Sequence, residues 1–551
     1  MQRSFRLLSA LLVALGSMVV VAACGSSSST GSGAGKTGGS VTVVQGTAPD
    51  YFDPSLSYTT QGANWGWISY LGLYTYAHAE GTAGTQLIPA IATSQPVISN
   101  SGKTYTITIR HGLKYSNGMA VKASDFTFSV ERAIKLNWGG ASFVTNNVVG
   151  ATAFSKGAKS ISGITADNAA GKIVIHLMRP YGALENVLAF PAMGLLPPNT
   201  AMKNLSTSPP AGFGPYELKN VVPNVSYDVS LNPNYAGQAV PGVPAGHVNV
   251  HVKIETNTTT EASDVLNNSA DVFDWGDTLP PALLSQIQSQ SSDRYKAEQT
   301  ALTLYFFLNT TEKPFNNPLA RQAVIMALDR NALARLDSGN LTPDCYFLPA
   351  LLVGHPTAPC PYGNPAAAPN LAAAKKLVAQ AGLTGTPVTV WGQERSPRKE
   401  YVDYYASVLN SLGFKATTKI IASASYFPTI ETLKLHPQTG FADWQQDFPN
   451  PIDFYLLLSK AALQPTGNQN FGEVSDPVIE KGLAKLSGVP SSQLSSVASQ
   501  WQTLDEYVAK KAYVAVFGYE KTPKFTSNRI NFGSLLFHPL YGNDWSSLQL
   551  K

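Results

Sequence analysis

Charged residues are scarce in this sequence. Asp, Glu, Lys and Arg together make up 13% of the 551 residues, and the formal net charge is only +4. A chain of this length with so small a net charge lacks the strongly basic surface that binds a phosphate backbone, so nucleic acid is excluded as a partner. The low charge fits a secreted protein with an uncharged polar surface, and the length allows two or three domains.

The sequence also lacks the short motifs of common enzymes. It contains neither His-Glu-x-x-His nor Gly-x-Ser-x-Gly, and its eight histidines are scattered, which disfavours a zinc site and a Ser-His pair. Gly35-Lys36-Thr37 is similar to the end of a phosphate-binding P-loop, but Thr30 occupies the position of that motif's first glycine. We therefore expect no enzymatic activity, no cofactor and no metal.

Cysteine is rare, and the first of the three cysteines follows an export signal. Arg3 and Arg6 make the N-terminus basic, and residues 7–23 after them carry no charge. This uncharged segment ends in small residues directly before Cys24. This layout is typical of a secretory signal peptide, and the run is shorter than the ~20 residues of a membrane-spanning helix. The Val-Ala-Ala-Cys sequence that ends at Cys24 resembles the lipobox of bacterial lipoproteins. We expect removal of residues 1–23 and lipidation of Cys24, with an uncleaved membrane anchor as the alternative.

Residues 24–40 consist mainly of glycine and serine after the cysteine. Such a segment cannot bury enough apolar surface to fold, so we expect a flexible tether between the lipid and a folded domain. The prediction is an exported protein on the outer face of the cytoplasmic membrane, held there by its lipid anchor.

The two remaining cysteines, Cys345 and Cys360, flank a segment rich in proline, glycine and alanine. Export exposes them to an oxidising compartment, so we expect a disulfide bond that fixes this segment. Two independent buried thiols are the alternative.

Strand and helix patterns are mixed along the chain without strict alternation. Apolar and polar residues alternate over residues 103–110, which predicts a half-buried strand, whereas Phe126, Val130 and Ile134 have helical spacing. The fold class is therefore α/β or mixed α+β, with several layers. Further predicted elements are a strand over residues 302–308 and single helices over residues 319–336 and 491–511.

Five segments together resemble the family 5 extracellular solute-binding proteins of peptide-type ABC transporters. They occur in the family's order over nearly the whole chain beyond the tether. The longest combines a strand, a turn at Ser116-Asn117-Gly118 and a helix that starts at Asp125-Phe126. The matching segments are residues 104–132, 212–216 with 232–235, 308–310 with 314–315 and 321–330, 373–382, and 444–451.

The resemblance implies a two-lobed periplasmic-binding-protein-like fold with two crossovers, whose lobes close over a ligand by hinge motion. The implied role is that of a monomeric binding protein that delivers a ligand, with a peptide favoured, to the membrane subunits of an ABC permease. An oligosaccharide or similar solute, or a signalling role as a ligand-presenting receptor, is the alternative. The expected extents are residues 41–73, 200–303 and 519–551 for one lobe, 304–518 for the other and 74–199 for an extra subdomain, with crossings near 302–309 and 515–519.

The fifth segment carries the most specific prediction of a ligand contact. In peptide-binding relatives, an aspartate three residues after a tryptophan pairs with the ligand's amino terminus, and Trp444 and Asp447 have this spacing. An enclosed ammonium needs such a partner, because an unpaired buried charge is strongly unfavourable. The alternative is that Asp447 caps a turn before Pro449. The segment departs from the family at Asn450-Pro451, where Asp-Pro or Glu-Pro is common.

Six further residues are weaker candidates for the ligand site. Aromatic side chains could line a cleft, although such residues more often belong to a core. Arg395, near a strand end, could bind a carboxylate, although an arginine in a solvated loop is the simpler interpretation. The six candidates are Tyr51, Tyr58, Trp65, Trp275, Trp391 and Arg395.

Overall fold

The computed structural model describes residues 38–465 and 467–551. The predicted signal peptide, the lipidation site at Cys24 and most of the tether lie outside these residues. Within them, no helix combines the length and the apolar character that crossing a bilayer requires. Helices and strands are mixed along the chain and form several sheets, which confirms the predicted mixed α/β class.

The elements are numbered in chain order. Strands β1 to β19 span Ser40–Gln45, Tyr74–Tyr76, Leu87–Pro89, Val97–Ser99, Thr104–Thr108, Ile164–Asp167, Lys172–His176, Tyr216–Val222, Ser226–Leu231, Asn249–Ile254, Val272–Phe273, Tyr295–Leu308, Leu341–Thr342, Pro387–Glu394, Lys415–Ala422, Thr439–Gln445, Val514–Phe525, Phe537–His538 and Gly542–Asn543. Helices α1 to α15 span Thr60–Ser69, Ala123–Lys135, Ser142–Thr145, Ala151–Ser155, Leu184–Val187, Thr258–Leu266, Pro281–Gln290, Pro318–Ala327, Arg330–Leu336, Leu371–Gln380, Arg398–Ser411, Ser423–Ile430, Ile452–Tyr455, Pro477–Leu486 and Ala498–Lys511.

Three sheets contain most of the strands. The first has the order β11-β1-β10-β9-β8, with β1 parallel to both of its neighbours. The second has the order β13-β17-β12-β16-β14-β15, in which β12 is antiparallel to β16 and β17. The third, β4-β5-β7-β6, is antiparallel. All described residues belong to one compact unit, and the lobe extents given above stay predictions.

Helix α2 illustrates how local sequence determines these elements. Phe126, Val130 and Ile134, which share one face by their helical spacing, are all buried. At the helix start, the Asp125 carboxylate accepts the backbone amide of Lys122 at 2.9 Å, and this bond holds the chain where it enters the helix. The apolar face and the bond at the helix start together explain why a helix forms here.

Strands β12 and β17 run antiparallel through the second sheet, but their ladder is irregular at one point. The register shifts between Gln299 and Thr303, so that three residues of β12 lie opposite Glu520 of β17. An irregularity of this β-bulge type removes backbone groups from the ladder and bends the strand. Within the bulge, the Ala301 carbonyl accepts the amide of Gln446 at 3.2 Å. We call residues 300–302 the β12 bulge.

The predicted disulfide bond between Cys345 and Cys360 is present, which confirms the pairing. The segment that it closes is also hydrogen-bonded to the rest of the protein, because the carboxylate of Asp505 accepts the backbone amides of Phe347 at 3.2 Å and Leu348 at 3.1 Å. The segment follows β13 directly and is therefore fixed at the edge of the second sheet.

Candidate ligand-binding site

A cavity of about 270 Å³ lies beside the β12 bulge. Its walls come from segments that are far apart in sequence, including the loops after β1, β11 and α9, the loop between β14 and α11, and strands β12, β16 and β17. The cavity therefore exists only because the fold brings these segments together. It is lined by residues 47, 60–61, 275–278, 300, 302, 337, 340, 395–398, 445 and 520–523.

Both acidic and basic residues line the cavity. Arg398 is already engaged within the protein, because it donates to the side chain of Gln393 at 2.6 Å and is also hydrogen-bonded to Asp443. Its guanidinium also lies 5.1 Å from the ring centre of Phe441. The acidic residues of the cavity wall are Asp277, Asp337 and Glu520, and the basic residues are Arg395, Arg398 and Lys521.

Arg395 differs from Arg398 in having no ion pair with any residue of the described chain. Its side chain is exposed on the cavity, yet the surrounding protein displaces much of its water. This desolvation lowers the pKa of Arg395, and the positive charge of Arg398 lowers it further. The guanidinium remains charged at neutral pH and offers a fork of donors that suits a carboxylate.

Nε2 of Gln445, in the cavity wall, is buried and has no hydrogen-bond partner in the described part of the chain. Burial raises the pKa of Asp337 to about 8, with a further contribution from the negative charge of Glu520, and a hydrogen bond with the hydroxyl of Tyr401 opposes this shift. Buried polar groups are rarely left unpaired in native proteins, so the Gln445 side chain indicates a place for a polar ligand.

A second arrangement surrounds Asp447, the residue at the sequence-predicted ligand contact. Oδ2 of Asp447 accepts the hydroxyl of Tyr58 at 2.8 Å. The neighbouring carboxylate of Asp453 accepts the amide of Asp447 at 2.8 Å and the indole N–H of Trp444 at 3.2 Å. Within the described residues, Oδ1 of Asp447 accepts no hydrogen bond. We call Tyr58, Trp444, Asp447 and Asp453 the Asp447 centre.

The Asp447 centre holds two carboxyl groups that form no ion pair with any described residue. Burial raises the pKa of Asp447 to about 6, although the hydrogen bond from Tyr58 opposes this shift. Burial also raises the pKa of Asp453, and the negative charge of Asp447 raises it further. Two adjacent carboxyl groups of this kind gain stabilisation from a cation that enters between or beside them.

The turn that follows Asp447 is held by other side chains. Oδ1 of Asn450 accepts the amide of Ile452 at 3.1 Å, and Asp453 accepts the amide of Asp447 itself. The Asp447 carboxylate takes no hydrogen bond from the local backbone of this turn in the described chain. Its geometry therefore differs from that of the turn cap considered as the alternative.

The structure brings some of the predicted residues together and separates others. Trp275 and Arg395 line the cavity, while Tyr58 and Trp444 lie beside Asp447. Each of these five residues thus lies at one of the two candidate sites.

The other three predicted residues lie outside the cavity and the Asp447 centre. Trp65 is 0% exposed and packs on Phe52, with ring centres 6.2 Å apart, so its apolar surface serves the core. Trp391 is buried under Lys419, whose Nζ lies 3.6 Å from the ring centre. Tyr51 is 39% exposed on the surface. None of the three contacts the cavity in this structure.

Several residues of the candidate sites were not identified from the sequence, among them Glu520, Asp453, Asp337 and Gln445. Glu520 had a detectable signal, because a charged residue inside the apolar strand β17 is unusual. Asp453 lies shortly after Asp447 and could have been found from that position. Asp337 and Gln445 had no sequence signal, since only the fold places them on a cavity wall.

A polar cavity whose walls come from segments across the described chain, within a mixed α/β fold of several sheets, suits the class of proteins that enclose a small polar solute. The chain belongs to the bacterial extracellular solute-binding proteins, family 5, whose model for the middle region matches residues 86–464. This match confirms the resemblance found in the sequence. The family consists of extracellular or periplasmic binding proteins of ABC importers rather than enzymes.

Individual proteins with similar sequences are also solute-binding proteins. The glutathione-binding protein GsiB of Salmonella choleraesuis (strain SC-B67) is 27% identical over 330 residues, which is 58% of each chain. The chain thus spans about 58% of the length of the curated relatives that it matches.

Solved structures are similar over almost the whole chain. The clavulanic acid biosynthesis oligopeptide binding protein 2 has a TM-score of 0.85 at 20% identity and covers 94% of this chain and 96% of its own. The periplasmic binding protein DppA from Helicobacter pylori, in complex with the peptide STSA, has a TM-score of 0.70 at 21% identity, with 94% and 98% covered. These similarities confirm the two-lobed fold.

Proposed function

We propose that this protein binds a short peptide outside the cytoplasm and delivers it to the membrane subunits of an ABC permease through lobe closure. The observation that carries the proposal is the Asp447 centre, where two adjacent carboxyl groups have no cation among the described residues. The amino terminus of a peptide supplies that cation.

The Asp447 centre is arranged to accept an ammonium group before any ligand arrives. Tyr58 holds Oδ2 of Asp447, and Trp444 holds the carboxylate of Asp453. Oδ1 of Asp447 is left for the ligand, and a charge-assisted hydrogen bond to an ammonium is among the stronger hydrogen bonds in proteins. Because the acceptor is already oriented, little conformational freedom is lost on binding.

The cavity supplies partners for the rest of a peptide. Arg395 is suited to the terminal carboxylate, and the unpaired Nε2 of Gln445 is suited to a peptide carbonyl. The cavity of about 270 Å³ is slightly below the ~300–1,000 Å³ that is typical of small-molecule sites, which favours a ligand of a few residues. The curated relatives support a short ligand, since they are named for binding glutathione.

The remaining parts of the proposal concern location and assembly. Lipidation at Cys24 would hold the protein at the outer face of the membrane, and residues 24–40 would give it reach toward a permease. The protein acts as a monomer and performs no chemical step on its ligand. The lobes would follow the extents predicted from the sequence, with β12 and β17 as the connecting strands.

Identification of the natural ligand tests this proposal directly. The protein is purified under native conditions from its own host, denatured in acid, and the released small molecules are analysed by mass spectrometry. Short peptides with free amino termini are the expected result. A glycan, or a peptide whose amino terminus is blocked, would overturn the assignment of Asp447. Protein refolded from denaturant, which has lost its ligand, serves as the control.

A further inference from the structure

Two segments that are far apart in sequence meet in a contact that the proposed function does not yet use. One comprises residues 180–185, within the predicted extra subdomain, and the other comprises residues 487–492, between α14 and α15 in the predicted lobe of residues 304–518. The amide of Gly182 donates to the carbonyl of Ser487 at 2.8 Å, and the amide of Ser491 donates to the carbonyl of Gly182 at 3.1 Å. We call the meeting of these two segments the 182–491 contact.

Side chains add to these backbone hydrogen bonds. The hydroxyl of Ser491 donates to the carbonyl of Gly182 at 3.0 Å. Glu185 is only 1% exposed, and its Oε2 accepts the amide of Ser492 at 3.2 Å. Polar groups of both segments thus satisfy one another across the contact, as buried polar groups must. The contact is therefore specific, and its register is fixed.

Glycine is required where the two segments pass each other. A Cβ atom at Gly182 would lie 1.7 Å from the carbonyl oxygen of Val489 and 2.3 Å from its carbonyl carbon. Gly182 is not among the glycines with a left-handed φ, so the opposite segment excludes a side chain there and its own backbone does not. From the other side, a Cβ atom at Gly488 would lie 2.9 Å from Cβ of Pro180. Each segment thus has a glycine that permits the close approach.

The 182–491 contact is connected to the turn that carries Asp447. Asn450 lies in this turn, is 2% exposed, and donates from Nδ2 to Oγ of Ser491 at 3.4 Å. Phe448, next to Asp447, packs on Phe143 of the predicted subdomain, with ring centres 5.6 Å apart. An aspartate or glutamate at position 450, which is common in the family, could not donate this hydrogen bond. The departure from the family pattern thus links the Asp447 centre to the contact.

The contact can open without disrupting the secondary structure on either side. Its bonds run between residues 74–199 and residues 304–518, which the sequence assigns to different parts of a two-lobed protein. None of the hydrogen bonds named above belongs to a helix or to a strand ladder. A hinge motion that separates the lobes would therefore break these bonds and leave both segments folded.

We propose that the 182–491 contact forms when the lobes close over the peptide, and that Gly182 thereby determines peptide affinity without touching the peptide. This inference rests on the proposed function, because it takes closure to enclose a peptide whose amino terminus lies at Asp447. It adds the residues that hold the closed form. A ligand that needs the closed form binds more weakly in proportion to the loss of that form.

Gly182→Ala tests this role, with Gly237→Ala as the matched control. Gly237 also lacks a left-handed φ, and no atom lies within 4 Å of a Cβ atom placed there. We expect Gly182→Ala to bind trialanine at least about tenfold more weakly than the control in isothermal titration calorimetry. Small-angle X-ray scattering at saturating trialanine should give a larger radius of gyration for Gly182→Ala. The melting temperatures of the two ligand-free variants should be nearly equal, because the open form has room for the methyl group.

The outcomes separate this inference from the proposed function. An affinity and a radius of gyration equal to those of Gly237→Ala would overturn the inference and leave peptide binding intact. A clearly lower melting temperature of ligand-free Gly182→Ala would show that the contact is permanent, which also overturns it. If Gly182→Ala does not fold, Gly488→Ala, with the smaller overlap, is judged by the same criteria. Failure of the wild-type protein to bind trialanine or any other peptide of a free-amino panel would overturn the proposed function and this inference with it.

Discussion

The Asp447 centre and the acidic wall of the cavity, formed by Asp277, Asp337 and Glu520, contain the same chemical groups but differ in the charges around them. In both, burial raises the pKa of the carboxyl groups, which form no ion pair within the described chain. The Asp447 centre contains no basic residue, whereas Arg395 and Arg398 also line the cavity and lower the pKa of Glu520. The cavity wall thus already holds positive charge, and the Asp447 centre is the place where a cation of the ligand is needed.

Replacing the acceptor of the Asp447 centre should give the largest effect. We expect Asp447→Asn to weaken the binding of free-amino peptides at least about thirtyfold, the equivalent of ~2 kcal/mol, because the ammonium loses its charged partner. The melting temperature of the ligand-free protein should stay nearly constant. Titration calorimetry and differential scanning calorimetry measure these two quantities. A large drop in the melting temperature without ligand would instead show that Asp447 stabilises its turn.

The pH dependence of binding should be the next largest effect. The pKa of Asp447 in the ligand-free protein is about 6, so the carboxylate that binds an ammonium is lost as the pH falls through this value. Peptide affinity should therefore decrease on acidification, with a limiting slope of about tenfold per pH unit for one proton. Titrations between about pH 5 and pH 8 measure this slope. Affinity that is independent of pH in this range would contradict the assignment.

Asp337→Asn should alter how the stability of the ligand-free protein depends on pH. The pKa of Asp337 is about 8 in the folded protein, above that of an unfolded aspartate. Between the two values the folded protein holds a proton that the unfolded chain has released, so stability falls as the pH rises through this window. The variant lacks this loss and should gain in melting temperature relative to wild type from about pH 5 to pH 8. Parallel melting curves at all pH values would refute this expectation.

Tyr58→Phe should give the smallest effect and tests the hydroxyl that donates to Asp447. The hydrogen bond from Tyr58 lowers the pKa of Asp447, so its removal should move the pH midpoint of peptide binding upward. The affinity well above this midpoint should change only a few-fold, in line with the ~1 kcal/mol of a typical hydrogen bond. Tyr51→Phe, at an exposed position away from both groups, is the matched control. A downward shift of the midpoint would contradict the role given to Tyr58.

Residue patterns predicted the fold class and most elements, but missed a helix start that is set by a capping side chain. Residues 319–336 were expected to form one helix, whereas α8 ends at Ala327 and α9 begins at Arg330. The carboxylate of Asp329 accepts the amide of Ala332 at 3.0 Å and starts the second helix. The helical spacing of apolar residues continues across this break, because both helices have an apolar face, so the spacing alone predicts one helix.

The predicted extent of β12 was too short for a related reason. The sequence indicated a strand from residue 302, but β12 begins at Tyr295, in a part where charged residues alternate with others. Similarly, residues 491–511 comprise a 3-10 segment, Ser491–Val497, followed by α15. Partner strands and neighbouring packing decide these boundaries, and neither is visible in a local pattern.

The candidate site was predictable only where a short motif existed. Trp444 and Asp447 stand in a recognisable segment, whereas Asp337 reaches the cavity through the packing of α9 against distant strands. The residue type alone could not tell that Trp275 lines the cavity and Trp65 belongs to the core, because an aromatic ring suits both positions. Burial and neighbours distinguish them, and these depend on the tertiary fold.

The β12 bulge links the acidic wall of the cavity to the Asp447 centre through the backbone. On one side, the hydroxyl of Thr300 donates to the carbonyl of Glu520, and on the other, the carbonyl of Ala301 accepts the amide of Gln446, next to Asp447. Consecutive residues of the bulge thus hold both places, and two bulge residues, Thr300 and Leu302, also line the cavity. Insertion or deletion of a single residue here would shift the cavity wall relative to Asp447 and so change the length of ligand that fits.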